Sequence, residues 1–562
     1  MRNHLATAAT WILVTVAGCR DKSPAPPVAP EREGPSVVFR DVTSQSGLAV
    51  TYDNGESAGE CSIVESLGGG VGLLDFDCDG NHDLVFPGGG QIRAGEPLTG
   101  LPTALWRNLG DISFKDVSAG ARIELPRTLT HGCAAADIDN DGFIDILVTG
   151  YSGLQLLHNQ GDGTFLDTTV VSELTTDSQW STSAAWGDFN QDGNVDLYVS
   201  HYVDWSWSNH PKCPSPKQGV NDICSPNEFS ALPDSLFLSN GDGTFRDFSS
   251  QAGLDRGGKG LGVVVADFNQ DSHVDIYVAN DTTNNFLYLN DGHARFTDVG
   301  LTSGTAVDGN GTPNGSMGLA VLDFDGDLTP DIWVTNYENE SYALYLNGSN
   351  ESFTWATDRV GLTALRNLFV GFGTTAGDFD KDGDEDLVVA NGHVILHPAQ
   401  SRLEQHPVYL QNSDSGATRR LHRVEFADGY FSRRHRGRGL VAGDLDLDGD
   451  LDLVFTNVQA PAAILRNDTP SDGQLVQVEL IGVQNSRNAI GAVCVLETNN
   501  GRYFRCVTGG GSYLSQNTYV LSWGLGSTEE IVKLVIKWPD GSNQTVSHLS
   551  NTKLNIVTQH TE

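Results

Sequence analysis

The chain has 562 residues, a formal net charge of −38 at pH 7 and 8 cysteines. That length is too great for one ordinary core and suffices for two or more domains. The acid excess excludes the basic face that a nucleic-acid partner requires.

The N-terminus reads as a targeting segment. Arg2 supplies a positive start, and residues 11–17 form an apolar core too short to span a membrane. Val16-Ala17-Gly18-Cys19 has the form of a bacterial lipobox. Residues 1–18 are therefore expected to be a lipoprotein-type signal, with Cys19 the lipidated first residue of the mature chain. The protein is then exported and anchored to a membrane or the cell surface, the alternative being a secreted or periplasmic protein. Residues 19–36 are rich in proline and charge and are expected to form an extended tether.

From Val37 an acidic nonapeptide of the form D-x-D-x-D-G-x-x-D recurs seven times, starting at residues 75, 137, 188, 267, 323, 378 and 444. Its candidate ligands are Asp75, Asp77, Asp79 and Asp83, then Asp137, Asp139, Asp141 and Asp145, and in the third copy Asp188, Asn190, Asp192 and Asp196. The fourth copy offers Asp267, Asn269, Asp271 and Asp275, and the fifth Asp323, Asp325, Asp327 and Asp331. The sixth and seventh offer Asp378, Asp380, Asp382 and Asp386, and Asp444, Asp446, Asp448 and Asp452. Calcium takes about six to eight oxygens in a flexible shell, and carboxylates at positions one, three, five and nine with a backbone carbonyl near seven supply one. Glycine at six permits the sharp turn. An EF-hand would need a glutamate at twelve, where this chain has Phe86, Val148 and Val199 in its first three copies. The expected cofactor is thus Ca²⁺, up to seven ions in strand-loop-strand sites, and the ions would offset much of the charge. Ser272 and Leu328 replace the glycine in the fourth and fifth copies. Those two sites are expected to be weaker or distorted, because a β-carbon resists positive φ.

A small-residue apolar strand precedes most loops, and a β-type run such as Leu197-Tyr198-Val199 follows each. A third strand often ends in Asn, as at Asn108 and Asn290, and a fourth of the form Phe-x-Asp closes several modules. Four strands in about 50 to 65 residues is a propeller blade. The seventh module lacks its fourth strand, and Val38-Phe39-Arg40-Asp41-Val42 is an orphan copy of one. The fold expected for residues 37–469 is an all-β, seven-bladed β-propeller closed by the N-terminal strand.

The longest spacing contains an insertion led by Tyr202, Trp205 and Trp207 and pinned by a Cys213–Cys224 disulfide. The three aromatics are candidates for a ligand platform, or else cover a propeller edge. Residues 470–562 read as a small β-sandwich or barrel. There a three-residue turn with Gly501 left-handed would set Cys494 opposite Cys506, within disulfide reach. Cys61, Cys78 and Cys133 then leave one thiol unpaired. Gly509-Gly510-Gly511 is not a phosphate loop, since neither Lys-Ser/Thr nor a helix follows.

The acidic loops resemble the FG-GAP (VCBS-type) repeats of the integrin α propeller. Asn488-Ala489-Ile490-Gly491-Ala492, Gly511-Ser512-Tyr513-Leu514-Ser515-Gln516, Trp523-Gly524-Leu525-Gly526 and Lys537-Trp538-Pro539-Asp540-Gly541 look like the ASPIC/UnbV domain. With Asn391-Gly392-His393, the chain from Val37 onward resembles the cartilage-acidic-protein family. The resemblance implies a calcium-binding propeller with a small β domain attached, and no established catalysis. A binding or adhesion protein that recognises a protein or glycan through its propeller loops is the leading expectation. The alternative is a secreted hydrolase or lyase acting on polysaccharide. No G-x-S-x-G elbow occurs, and His131, His201, His393 and His397 near strand ends are its candidate groups.

Overall fold

Each acidic nonapeptide closes a hairpin in the computed structural model. In every copy the residue before position one pairs with the aspartate at position nine: Leu74 with Asp83, Ala136 with Asp145, Gly187 with Asp196, Ala266 with Asp275, Leu322 with Asp331, Gly377 with Asp386 and Gly443 with Asp452. The structure describes residues 37–560 apart from 125–127, 175–178, 216, 218, 255–256, 349–350, 366–367 and 415–418. The signal segment, Cys19 and the tether lie outside the described residues.

The repeats build all-β, propeller-like architecture. Each hairpin supplies the first two strands of an antiparallel sheet, and the sheets are numbered I to VII here in the order of their loops. Sheet I comprises Gly72–Leu74, Asp83–Phe86, Ala104–Asn108 and Phe114–Asp116. Sheet VII takes Gly437–Gly443, Asp452–Asn457 and Ala460–Asn467 from the end of the repeats and its outer strand, Phe39–Asp41, from the beginning. Phe39 pairs with Asn467 and Asp41 with Leu465. The orphan half-module therefore covers the edge that sheet VII would otherwise expose.

The first strand of each sheet packs beside the first strand of the next, and Gly437–Gly443 returns to Gly72–Leu74. Glycines permit this approach. A Cβ at Gly262, Gly318 or Gly373 would lie 2.2, 2.1 or 2.4 Å from the carbonyl oxygens of Met317, Phe372 and Arg438 on the neighbouring strand. The apolar cores lie between sheets. Leu74, Val85 and Leu105 of sheet I, for example, meet Cys133, Ala135, Ile146 and Val148 of sheet II.

The C-terminal segment is integral to the same compact unit, which runs from Ser36 to Glu562. It contains a three-stranded sheet around Gln474–Ile481 and a four-stranded sheet around Val493–Thr498. Between them, residues 509–516 run across the first strands. Val264 and Val265 pair with Gly510 and Gly509. Leu319 N donates to Ser512 O, Thr374 N to Ser512 Oγ, and Ser512 Oγ to Leu440 O. Leu73 N donates to Gln516 O, Cys133 N to Leu514 O, and Leu514 N to Ser183 Oγ. One short segment thus meets the first strand of all seven sheets. The glycines that read as no phosphate loop give it the slenderness to enter: a Cβ at Gly509 would lie 1.9 Å from Trp186 O.

The cysteines depart from expectation in part. Cys213–Cys224 is a disulfide. Cys494 and Cys506 are free thiols, as are Cys61, Cys78 and Cys133. The hairpin register is one residue away from the expected one. Cys506 faces Val493, and Cys494 faces Arg505. Thr498 causes the shift. Its hydroxyl accepts the amides of Asn500 and Gly501, and its N–H donates to Gly501 O at 2.9 Å. This closes a two-residue turn at Asn499-Asn500, and Gly501 does not adopt positive φ. Because side chains alternate along a strand, one residue of slip sends the two thiols to opposite faces.

Candidate functional site

The acidic loops share one internal architecture. The first aspartate of each accepts two loop amides. In loop I these are Asp79 N at 3.1 Å and Gly80 N at 2.8 Å, and in loop II Asp141 N at 3.0 Å and Gly142 N at 2.8 Å. Residues at positions four and six are left-handed in every loop. Ser272 and Leu328 follow the pattern, with φ of 76° and 69°. Their amides still reach Asp267 and Asp323 at 2.9 and 3.1 Å. The expected distortion is therefore absent from these hydrogen bonds. The residue absorbs the strain, an energy of about 1–2 kcal/mol for a non-glycine.

The aspartate at position nine has a second role that the repeat pattern concealed. Asp83, Asp145, Asp196, Asp275, Asp331, Asp386 and Asp452 are all buried. One oxygen of each accepts the amide of a residue at the end of the third strand, or in sheet VI of Asn412 two residues before that end, at 2.7 to 2.9 Å. In six loops the other oxygen accepts the amide at position two, as Phe76 N does to Asp83 at 3.2 Å. Burial pushes Asp83 up to about 8. A carboxylate has about four lone-pair sites, so these bonds leave room for a cation.

The remaining oxygens converge. One oxygen each from Asp75, Asp77 and Asp83 lies within 4.8 Å of the others, as in the sets Asp137, Asp139, Asp141 and Asp323, Asp325, Asp331. Burial, then the neighbouring carboxylates, raise the first aspartates: Asp378 to about 8, and Asp444, with its loop amides opposing, to about 7. Asp77 Oδ1 and Asp446 Oδ1 are buried and accept no hydrogen bond among the described residues. Crowded hard oxygens, raised proton affinity and buried acceptors without a donor together fit a divalent cation of the calcium type.

Side chains outside the nonapeptides also reach these loops. The residue before the third strand's final Asn or its equivalent points at the loop in several sheets. Arg107 reaches Asp77 at 2.6 Å and Asp79 at 3.0 Å, His158 reaches Asp145 at 2.9 Å, and Gln411 reaches Asp380 at 2.6 Å. A polar residue at an otherwise apolar strand position was the available signal. The C-terminal segment adds cations that spacing could not reveal. Arg487 stands 3.5 Å from Asp137, Lys537 stands 3.5 Å from Asp267, and Arg505 pairs with Glu385 at 3.1 Å. It therefore lies against the acidic-loop end.

The candidate aromatics sit towards the other end, where first strands begin. Tyr202 and Trp205 are buried and do not form an exposed platform. They pack with Tyr151 and Trp180, and half-buried Trp207 donates Nε1 to Glu96 O at 2.6 Å. The disulfide-bonded hairpin is anchored across this end by Asp222, which accepts the amides of Leu396 and His397 at 2.8 and 2.9 Å. His131 and His201 are fully buried and pushed down to about 3, so they stay neutral near pH 7. His393 faces Glu338 at 3.3 Å, and His397 contributes its backbone to Asp222.

Family models match both parts of this architecture. An FG-GAP-like repeat model matches residues 75–148, 137–199, 219–278, 267–334 and 323–389, and an ASPIC and UnbV model matches residues 482–562. Cartilage acidic protein 1 of Mus musculus is 24% identical over 522 residues, 87% of this chain and 73% of that protein. The Homo sapiens protein of that name is 24% identical over 517 residues, 87% and 72% respectively. Among solved structures, an Agrocybe aegerita lectin described as recognising non-reducing terminal N-acetylglucosamine aligns at a TM-score of 0.39 and 17% identity, covering 66% of this chain and 88% of its own.

Proposed function

We propose that this chain, which belongs to the FG-GAP-repeat proteins carrying a C-terminal ASPIC and UnbV domain, is an exported, calcium-stabilised binding protein that holds a protein or glycan. The family and its relatives support a binding or adhesion-type propeller. Calcium is a staple in this reading, and the observation that carries it is the donor-less, buried Asp77 Oδ1 within the cluster of Asp75, Asp77 and Asp83. The ions would sit at the end against which the C-terminal segment lies, where Arg487 and Lys537 face loop aspartates. Recognition then belongs to the end built from the 202–233 insertion and residues 393–397. The Cys213–Cys224 disulfide supports an oxidising compartment, in keeping with export and with a lipid anchor at Cys19.

The test is a glycan and partner-protein array probed in Ca²⁺ and in EDTA. Specific binding without turnover of the captured ligand is expected, weakened by EDTA. Turnover that is abolished by replacing His393 or His397 would overturn the reading in favour of a polysaccharide-acting enzyme.

A further inference from the structure

A cavity of about 240 Å³ lies where the first strands of sheets IV, V and VI begin. Its floor is apolar and buried: Ile63, Leu67, Leu261, Met317 and Phe372. For scale, an apolar cavity of about 150 Å³ holds benzene. The space therefore takes a small aromatic or aliphatic body. Its rim carries Tyr202, Asp281, Thr282 and Tyr337.

The polar side of the cavity is acidic. Asp281 is the carboxylate that lines it, and the charges of Glu338, Asp222 and Glu340 also bear on the neighbouring Tyr337. Those three have partners that use them. Asp222 accepts the amides of Ile223, Leu396 and His397, Glu338 faces His393, and Glu340 accepts the amides of Gly315 and Tyr337. Asp281 is different. Its Oδ2 accepts the Tyr202 hydroxyl at 2.6 Å, while its Oδ1 accepts no hydrogen bond and the group has no ion pair among the described residues. Lys259, the cation that acts on it, directs Nζ to Pro226 O at 2.8 Å instead. Arg438 stacks over Phe372 at 4.0 Å and gives its N–H groups to backbone carbonyls of Gly392, Gly437, Ser66 and His393.

Asp281 is also held in place. Thr282, the next residue, has φ of 63°, a conformation that β-branched residues avoid. Its N–H donates to Asn314 O at 2.9 Å and its hydroxyl to Asp281 O at 2.6 Å. Strain of this kind is kept where the surroundings over-determine a position. An anionic ligand would meet the Asp281 carboxylate here. A sugar would meet a mostly apolar wall that satisfies few hydroxyls.

We infer that this cavity binds a primary ammonium group carried on a small apolar body, the ammonium on Asp281 beside the Tyr202 hydroxyl and the apolar part against Leu261, Met317 and Phe372. The ligand class rests on the binding reading above for its place at the recognition end, and not on calcium. The ammonium belongs either to a free amine or to a lysine side chain of a partner.

Calorimetry on the full chain in Ca²⁺ tests it with three probes: phenethylamine, its neutral isostere 2-phenylethanol, and a short lysine-bearing peptide. Phenethylamine, the peptide or both should bind, and where phenethylamine binds it should exceed the alcohol by at least about tenfold, the ratio that one charge-assisted hydrogen bond supplies. Binding of the amine alone assigns a free small molecule, and binding of the peptide assigns a partner's lysine. Asp281→Asn should remove the preference, and Met317→Trp, which fills the floor, should remove amine and alcohol alike. Equal binding of amine and alcohol by the unmodified chain overturns the inference, as does binding of neither amine nor peptide, and neither comparison depends on a variant folding. Array binding that persists in Asp281→Asn while neither the amine nor the peptide binds would sink the cavity and leave the general binding reading standing.

Discussion

Asn108 donates its side-chain amide to the carbonyl oxygen of Leu445 at 2.8 Å across 337 residues of sequence. Asn108 ends the third strand of sheet I, and Leu445 is position two of the acidic loop in sheet VII. The same link joins Asn159 to Phe76, Asn290 to Phe189, Asn347 to Phe268, Asn412 to Phe324 and Asn467 to Phe379. Each reaches back to the preceding sheet, and each of these asparagines also gives its backbone amide to the ninth aspartate of its own loop. Sheet III has Ser239 in this place. Asn108 is thus the member of the ladder that ties the first repeat to the last.

Asn108→Ala should destabilise the chain by about 1–3 kcal/mol, because it leaves Leu445 O buried without its donor. Ser239→Ala, which has no such inter-sheet link among the described residues, should have a smaller effect. The two urea midpoints compare them, and equal losses would remove the ladder from the account of ring closure.

Calcium should raise the melting temperature by mass action on the native state. For dissociation constants of about 10⁻⁴ to 10⁻³ M, as in weak extracellular modules, 10 mM Ca²⁺ contributes roughly 1.4 to 2.7 kcal/mol per occupied site. A melting temperature indifferent to EDTA would mean that the loops are held by their own amides and not by ions.

Lys537 places a cation against the loop of sheet IV. Its ammonium lies 3.5 Å from Asp267 and donates to Gln270 O at 2.9 Å, in a loop where Asn269 has already replaced one carboxylate. The cation opposes a divalent ion there. Lys537→Met should strengthen Ca²⁺ binding at this loop by roughly tenfold, allowing for screening of a half-exposed charge. Calcium titration calorimetry would show it as a gained or tightened site. An unchanged isotherm would mean that the lysine swings away when the ion arrives.

Loop, repeat and clasp were legible because each is written in contiguous residues: the nonapeptide in its own spacing, the clasp in an orphan Phe-x-Asp strand. What was not legible depends on partners far away in sequence. The asparagines at strand ends were visible, but their acceptors lie in a neighbouring module. Arg487 and Lys537 meet the loops only through the docking of the C-terminal segment. The Cys494–Cys506 pairing failed on one side chain, Thr498, whose hydroxyl captures two amides and shortens the turn. Tyr202 and Trp205 read in the sequence as a ligand platform or as cover for a propeller edge, and choosing between these needs Trp180 and Tyr151, which give them a core to join.

Asp234 gives the fold a pH dependence away from the acidic loops. It is buried, with Tyr198 donating its hydroxyl to Oδ2 at 2.6 Å and His201 its amide to Oδ1 at 2.8 Å. Burial outweighs these bonds and pushes the carboxyl up to about 7. An acid whose folded pKa lies above its unfolded value of about 3.9 is bound more tightly to its proton in the native state. Its contribution to stability is complete below about pH 4 and is lost as pH rises through about 7, at most roughly 4 kcal/mol by linkage. Asp234→Asn cannot ionise, so unfolding measured at pH 5 and pH 8 should show a smaller pH-dependent loss in the variant than in the parent chain. Comparing slopes with pH, not absolute stabilities, cancels the cost of the amide itself. Parallel slopes would show that Asp234 ionises in the native state at no greater cost than in the unfolded chain, with Tyr198 and His201 fully offsetting its burial.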